Sequence, residues 1–544
     1  MKKLIILFIT LLSFSGCDLT DKSSVTDTEP IPNPFLWENA NIYFLLTDRF
    51  YNGNPGNDVN FDRNENTAVL RGFEGGDIQG ITKKIEEGYF TDLGITAIWF
   101  TPIVEQIHGI VDEGSGSTYG YHGYWAKDWT ALDPNFSTAT DLANLVETAH
   151  QNGIRIVLDV VINHTGPVTG KDPVWPDEWV RTGPQCSYQD YETTVECTLV
   201  KNLPDIKTES DDPVELPQFL KDKWAAEGRL DKELQELDEF YERTGYPRAP
   251  RFYIIKWITD YIRKYGVDGF RVDTAKHTEA SVWAELYKEA VYAFNQWKNT
   301  HPDKVLDDND FFMFGEVYGY GISSGRDYNY GDLNVDFFNN GFKSMINFEF
   351  KSDANKDYEV IFSKYDTILF SSLSGKSVVN YLSSHDDGSP WDKLREKPIE
   401  AGTKLLLCPG AAQVYYGDES SRSLVIEGTE GDATLRSFMN WNEQESDASR
   451  GGYKVKEVLV HWQKLGQFRA AHPAVGAGKH QIISESPYLF KRTYQKEDYK
   501  DQVLVGLDLE KGEKSIDVSG LFENGMELKD YYSGKSVKVT GGKV

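Results

Sequence analysis

The stretch Gly269-Phe270-Arg271-Val272-Asp273-Thr274-Ala275-Lys276-His277 decides the fold. Its first residues alternate apolar and polar, and alternate side chains of a strand share a face, so Arg271 and Asp273 point one way and Phe270 and Val272 the other. Amphipathic stretches of helical period flank it at 252–265 and 282–297. A strand set between two helices, with its charged residues at the C-terminal end, is the repeating unit of a parallel sheet covered by helices.

The unit recurs along the chain. Apolar runs of strand length lie at 42–46, 97–100, 154–162, 269–272, 311–314, 378–382 and 412–416, with a further amphipathic stretch at 141–152. Seven or eight strand–helix units predict a closed (β/α)8 barrel, an α/β fold. An open dinucleotide-binding sheet is disfavoured because no Gly-x-Gly-x-x-Gly follows the first strand. The rhythm breaks at 165–250, a stretch rich in proline and charge, which reads as a domain inserted after the third strand. Past the helical pattern at 453–471, short alternating runs predict a C-terminal antiparallel β domain over 479–544. The barrel is thus expected to comprise 35–164 and 251–478.

With 544 residues the chain can bury a large core, and 40% hydrophobic content excludes a disordered chain. Its 57 basic and 85 acidic residues give a net charge of −28, which repels phosphate backbones, so nucleic acid is not expected as a partner. Lys2 and Lys3 followed by a short apolar run and Ser15-Gly16-Cys17 have the layout of a secretory signal. The sequence ending at Cys17 resembles a bacterial lipobox, which predicts lipidation of Cys17, a tether over 18–34 and residence in the cell envelope, held to a membrane only through the lipid. Cys186 and Cys197 lie close together in a polar stretch, and in an exported protein are expected to pair. Cys408, in an apolar run, reads as a small core residue.

Chemistry is expected where barrel strands end, since their loops build the functional face. Four ends carry polar clusters: Asp159 to Asn163-His164, Arg271 to His277, Gly315-Glu316, and His385-Asp386. Asp273, Glu316 and Asp386 therefore converge with Arg271 and two histidines. Two carboxylates flanking a bond is what glycoside cleavage requires, one ionised and one protonated. Arg271 would keep Asp273 charged, while crowding by other carboxylates would raise Glu316. Any one cluster reads equally well as a structural ion pair; four together, each at a strand end, do not. Gly321-Ile-Ser323-Ser-Gly325 fits a serine-hydrolase pattern but is followed by what reads as a loop, not by the helix that motif needs.

The segments LDVVINH, GFRVDTAKH, FGEV and LSSHD, in that order, resemble the signature regions of the α-amylase family of glycoside hydrolases, with GYHGYWAKDW, NLPDIKTES and GGDIQGI as further matches. The resemblance runs from Ile42 to Gly478. It implies that Asp273 is the nucleophile, Glu316 the general acid/base and Asp386 the transition-state stabiliser. It implies that His122, Tyr124, Arg271 and His385 line the cleavage subsite, with Lys276 and His277 on the leaving-group side, and it gives Asp432 and Arg436 as a further sugar-binding pair. Ser384 departs from the family, where Asn commonly precedes the His-Asp pair. The resemblance makes 165–250 the family's domain B and the tail its β-sandwich. Calcium is expected at two places: Asn52, Asn54, Asn57 and Asp58 with Gly75 and Asp77, and Asn163 with Asp205 and the carbonyl of His277. The implied activity is retaining hydrolysis of α-1,4-glucans such as starch, glycogen or maltodextrins by a monomer. A transglycosylase of the same fold and a non-catalytic starch-binding lipoprotein are the alternatives.

Overall fold

The computed structural model describes residues 33–112, 114–510 and 512–544. Eight parallel strands close into a barrel: β1 (Asn41–Leu45), β2 (Ala97–Phe100), β3 (Arg155–Val160), β4 (Gly269–Val272), β5 (Phe312–Gly315), β6 (Ser344–Asn347), β7 (Ser377–Asn380) and β8 (Ala411–Tyr415). β8 pairs back onto β1, which closes the barrel. Closure removes the exposed edges that an open sheet would have to protect. One strand, β6, has no counterpart among the apolar runs of the sequence. Ser344-Met345-Ile346-Asn347 has polar ends, yet all four residues are buried. The Asn347 amide donates to Asn380 Oδ1 at 2.8 Å and to the Tyr365 hydroxyl at 2.9 Å, which satisfies it inside the barrel wall.

The longer helices are α1 (Ile78–Glu86), α2 (Ala139–Gln151), α3 (Gln218–Ala226), α4 (Leu230–Thr244), α5 (Pro250–Tyr265), α6 (Ala280–Thr300), α7 (Tyr358–Leu369), α8 (Pro398–Leu407) and α9 (Val455–Ala471). Their ends follow local chemistry. α2 opens in a capping box between Thr138 and Asp141, which supplies acceptors to otherwise orphaned N–H groups. α5 begins with Pro250, carries Arg263 and Lys264 in its last turn, and stops at Gly266 with φ 74°. A side chain at Gly266 would also strike the Trp297 ring of α6, since a Cβ there would lie 2.1 Å from it. That glycine therefore serves both the turn into β4 and the packing of the neighbouring helix.

Register sets the functional face. In the β3–β4 pair Arg271 lies opposite Asp159, and in the β4–β5 pair Val272 lies opposite Gly315. Asp273 and Glu316 are consequently the next residues on adjacent strands, delivered together to the barrel mouth. Beneath them Phe44 stacks on Trp99 with centroids 3.7 Å apart, and Trp99 meets Phe314 edge-on at 5.5 Å. These rings fill the barrel below the charged layer.

Residues 165–250 hold a two-stranded antiparallel ribbon (Val180–Arg181 with Asp205–Ile206) and the helices α3 and α4. The charged stretch 221–243 therefore lies on helices that pack on the barrel: Trp224 meets Trp257 of α5, and Lys223 pairs with Asp128 at 2.7 Å and Glu105 at 2.9 Å. Cys186 and Cys197 form a disulfide, and Cys408 is a buried free thiol. The tail forms a three-stranded antiparallel sheet of β9 (Lys479–Glu485), β10 (Tyr488–Lys496) and β11 (Tyr499–Leu507), plus a two-stranded ribbon of Glu527–Lys529 and Ser536–Lys538. Arg492 of β10 is fully buried and donates to the carbonyls of Leu407 and Val475, which fastens the sheet to the barrel. Residues Pro34–Val544 form one compact unit. Among the described residues, no helix is long and apolar enough to cross a membrane. The signal, Cys17 and nearly all of the expected tether lie outside the described residues.

The disulfide closes a loop with a sequence separation of 11, so the chain-entropy model assigns it about 3 kcal/mol at most. Replacing both cysteines by serine is expected to raise amide exchange across 186–197 while the barrel strands keep their protection. Hydrogen-exchange mass spectrometry checks this, and uniform loss of protection would contradict it.

Candidate active site

The site is organised around one buried guanidinium. Arg271 Nη1 donates to Asp159 Oδ1 at 2.8 Å and to Asp273 Oδ1 at 2.7 Å, while Nη2 pairs with Glu316 Oε2 at 2.9 Å. Three carboxylates on three adjacent strands thus converge on a single side chain that is 1% exposed. Glu316 Oε2 also accepts from the backbone N–H of Thr274 at 3.0 Å. Thr274 itself stands at φ 47°, a left-handed conformation unusual for threonine, at the end of the strand that carries Asp273. The turn holds that N–H against Glu316.

Asp159 has no role in the sequence reading, yet it is the best-held group of the centre. Besides Arg271 it accepts from Trp99 Nε1 at 3.0 Å and from the Tyr124 hydroxyl at 2.9 Å. The register that sets it opposite Arg271 is the signal that identifies it. Tyr124 is tied in further by its carbonyl, which lies 3.1 Å from His164 Nε2, and its ring stacks on His385 with centroids 5.2 Å apart. His122 lies beside the same ring, with centroids 5.8 Å apart. Burial pushes His122 well below the usual imidazole range and His385 down to about 4, so both are neutral at pH 7. Neutral imidazoles among apolar rings suit contact with sugar hydroxyls better than ion pairing.

Asp386 closes the opposite side. Its side chain is 32% exposed at the mouth, and it accepts from the Ser384 hydroxyl at 3.2 Å. Ser384 thus fills its variant position with a hydrogen bond to the neighbouring acid. Burial works to raise Asp386, but His385, Arg271 and Arg436 together hold it below the usual carboxylate range. Glu316 goes the other way: burial first, then the charges of Asp273 and Asp386, push it well above the usual range despite Arg271. One acid favoured as carboxylate and one as carboxylic acid stand in the same cleft.

The remaining expected binding residues fall into two groups. Arg436 Nε donates to the His385 carbonyl at 2.9 Å and pairs with Asp432 at 2.5 Å, and Arg71 reaches Asp432 at 3.3 Å. This pair braces the backbone of the His385-Asp386 turn. Lys276 donates to the Tyr318 carbonyl at 3.2 Å, and its ammonium lies within 6 Å of the Tyr188, Tyr318 and Tyr328 ring centroids. His277 is buried, with Nδ1 2.9 Å from the Thr194 carbonyl, so it ties the catalytic strand to the disulfide loop. Tyr188 and Tyr318, exposed by 53% and 51%, are absent from the sequence expectations and leave an open aromatic pair beside Lys276. Ser323 of the serine-hydrolase pattern donates to Glu349 at 2.7 Å, and a β-hairpin (Asp327–Asn329 with Asn334–Asp336) follows where the sequence reads as a loop.

The expected calcium positions divide in the same way. Asn52 Oδ1 and Asn57 Oδ1 are buried without a hydrogen-bond partner, and Asn52 Nδ2 donates to Asp58 Oδ1 at 2.9 Å. Asn52 and Asp58 lie against Gly75, where a Cβ would come within 2.5 Å of Asn52 Nδ2 and 2.8 Å of Asp58 Oδ1. The Asp77 carboxylate accepts the backbone N–H groups of Gly53, Asn54 and Gly80, at 3.1, 2.8 and 2.6 Å, and caps α1. Asn54 likewise accepts from Gly56 N–H at 3.1 Å. In the second place Asn163 Nδ2 donates to Asp205 Oδ1 at 2.5 Å, leaving Asn163 Oδ1 buried and unpartnered, while Asp205 also pairs with Arg181 at 3.2 Å. Among the described residues there is no cluster of three or more His, Cys, Asp or Glu suited to a metal. Amide and carbonyl oxygens dominate both places, a donor set that fits a hard cation such as calcium rather than zinc.

A closed (β/α)8 barrel with three acids converging at its strand ends, one held low and one raised, has the make-up of a glycoside hydrolase. The chain belongs to the α-amylase family: residues 44–478 match the family described as "Alpha amylase, catalytic domain". It is 37% identical to the periplasmic alpha-amylase of Escherichia coli strain K12, over 88% of this chain and 73% of that protein. A cyclomaltodextrin glucanotransferase of Thermoanaerobacterium thermosulfurigenes is 25% identical over 91% of this chain, which spans 63% of the relative's length. Among solved structures, an Anoxybacillus alpha-amylase shares the fold with TM-score 0.62 and 24% identity, over 94% of this chain and 95% of that one.

Because Glu316 is held well above the usual range, its protonated form persists to higher pH than that of a free glutamic acid, near 4.3. If this group donates a proton, kcat/KM falls as pH rises through its raised pKa. The alkaline limb of the profile is therefore expected well above the glutamate range; a limb near pH 4 would contradict the geometry.

Proposed function

We propose that this protein is an α-amylase that hydrolyses α-1,4-glucosidic bonds of starch, glycogen or maltodextrins with retention of configuration. The observation that carries the reading is the single guanidinium of Arg271, which grips Asp273 with one nitrogen and Glu316 with the other. Two carboxyls held by the two terminal nitrogens of one guanidinium are brought side by side, which favours the direct attack of a retaining enzyme over the wider gap that an inverting enzyme needs for its water. Asp273 attacks the anomeric carbon while Glu316 gives its proton to the departing glycosidic oxygen. Carbon–oxygen bond formation at Asp273 accompanies rupture of the glycosidic bond. In the second half Glu316, now ionised, takes a proton from water as that water displaces the sugar from Asp273. Asp386, held anionic across the cleft, favours the positive charge that develops on the ring between these steps. Tyr124 offers the sugar an aromatic face, and neutral His122 and His385 offer hydrogen-bonding nitrogens.

Calcium fits the chain at the places described: the unpartnered Asn52, Asn57 and Asn163 oxygens are the kind of donor it takes. The Asn163–Asp205 place would pin the inserted segment to the end of β3, next to the strand that carries Arg271 and Asp273. Bound there, the ion supplies rigidity rather than chemistry. Export is supported by the periplasmic relative and by the signal-like leader, and the Ser15-Gly16-Cys17 sequence supports a lipid tether in the cell envelope. Sugar transfer is the second reading: exposed Tyr188 and Tyr318 provide faces on which an acceptor sugar can stack in place of water. A purely binding role needs no buried acids of opposite protonation.

A reducing-sugar assay on soluble starch with product chromatography separates these readings. Linear maltooligosaccharides support hydrolysis, cyclic or elongated products support transfer, and no products with intact binding would leave only capture. Glu316→Gln is expected to lower kcat by about 10²–10⁴, and Asp273→Asn by at least as much, with folding unchanged by circular dichroism. Exhaustive chelation is expected to lower Tm and activity together, with calcium restoring both, because a ligand bound only by the folded state adds stability. A metal-free preparation that melts and cleaves starch unchanged would contradict the calcium assignment.

A further inference from the structure

The three acids of the centre are not held alike. Asp273 directly follows the last residue of β4 and Glu316 the last residue of β5, so the register of the barrel fixes both. β7 ends at Asn380, and Asp386 comes only after a further stretch, 381–385, that belongs to no helix or strand. Its side chain is 32% exposed, against 8% for Asp273 and for Glu316, so packing constrains it least. Neither sheet pairing nor burial therefore sets where this carboxylate stands.

The next residue, Asp387, is buried and anchored on three sides. Its Oδ2 accepts from the Tyr381 hydroxyl at 2.7 Å and from the Lys351 ammonium, and its Oδ1 accepts from the Ser389 backbone N–H at 3.1 Å. Lys351 stands on the short helix Phe350–Asp353 that follows β6, with its ammonium 3.4 Å from the Ser389 carbonyl and 5.5 Å from the Tyr381 ring centroid. The donors thus come from the end of β7, from the segment after β6 and from the loop itself, and they tie the loop to two neighbouring strand ends. Both oxygens of Asp387 are engaged within the protein, so this acid is turned away from the sugar although it adjoins one that faces it. Burial, and then the charge of Asp387, push the Tyr381 hydroxyl above its usual range, so it stays a donor; Asp386 and Glu316 push it the same way from the same corner. We infer that Asp387 is the positioning residue of Asp386: with Lys351 and Tyr381 it clamps the loop on one side of that acid, as Arg436 does on the other through the His385 carbonyl. Lys351 also offsets a second negative charge beside the one the reaction uses. The inference rests on the role proposed above for Asp386.

The test uses the full chain and α-maltosyl fluoride, whose leaving group departs readily enough for slow variants to be measured. Asp387→Asn and Lys351→Met each break the ion pair and are expected to lower kcat about ten- to a hundredfold, the loss that a small misplacement of a catalytic group brings, with KM changed little. Tyr381→Phe, which removes one hydroxyl and keeps the buried ring, is the variant that disturbs folding least, and it is expected to lower kcat as well. Lys351→Arg, which keeps the cation, is expected to lose less than Lys351→Met. The deciding comparison is made in Asp386→Asn protein: if Asp387 acts through Asp386, adding Asp387→Asn lowers kcat no further. Losses that multiply in that double variant, or single variants with a lower Tm and full kcat, would overturn the positioning role. If Asp386→Asn slows the enzyme and Asp387→Asn does not, this inference alone falls. If Asp386→Asn leaves cleavage intact, the role proposed for Asp386 falls and this inference with it.

Discussion

The buried guanidinium of Arg271 is the constraint on which the rest of the site depends. It sits 1% exposed on β4 and meets Asp159 from β3, Asp273 from its own strand and Glu316 from β5. Buried carboxylates are tolerable only when paired, and one cation here serves three. That imbalance has a chemical consequence: three acids around one positive charge cannot all ionise equally, and burial pushes Glu316 well above its usual range and Asp159 up to about 7. The proton an acid catalyst needs is therefore retained by the same arrangement that keeps the neighbouring strand ends together.

The scaffold around this centre is built to deny it freedom. Closure of β8 onto β1 fixes the register in which Asp159 faces Arg271. Trp99 and Phe314 fill the barrel below, and Trp99 and Tyr124 both donate to Asp159. From above, the disulfide loop reaches His277 through the Thr194 carbonyl, and Arg436 fixes the His385 carbonyl one residue before Asp386. Side chains locked by packing and hydrogen bonds on rigid strands hold catalytic geometry more closely than loops can.

Much of this was legible in the sequence because barrel strands carry their chemistry at one end. Asp273 follows its strand run directly, Glu316 and Asp386 lie a few residues past theirs, and alternation alone puts Arg271 on the face of Asp273. What escaped did so for physical reasons. β6 hides because its buried ends, Ser344 and Asn347, are polar, and the Asn347 amide is satisfied across the wall by Asn380 and Tyr365. Asp159 stands in plain view, but its importance lies in an inter-strand register that spacing does not encode. Tyr188 and Tyr318 come together from segments far apart in the chain, so no local motif announces them.

The central claim is that Asp273 forms a bond to the sugar while Glu316 and Asp386 do not. Incubation with a fluorinated α-glucosyl fluoride, whose slowed second step lets the glycosyl-enzyme accumulate, followed by peptide mass mapping, tests it most directly. The account predicts one sugar adduct, on the peptide that carries Asp273. An adduct on Glu316 or Asp386, or turnover of the reagent with inversion and no adduct, would contradict it.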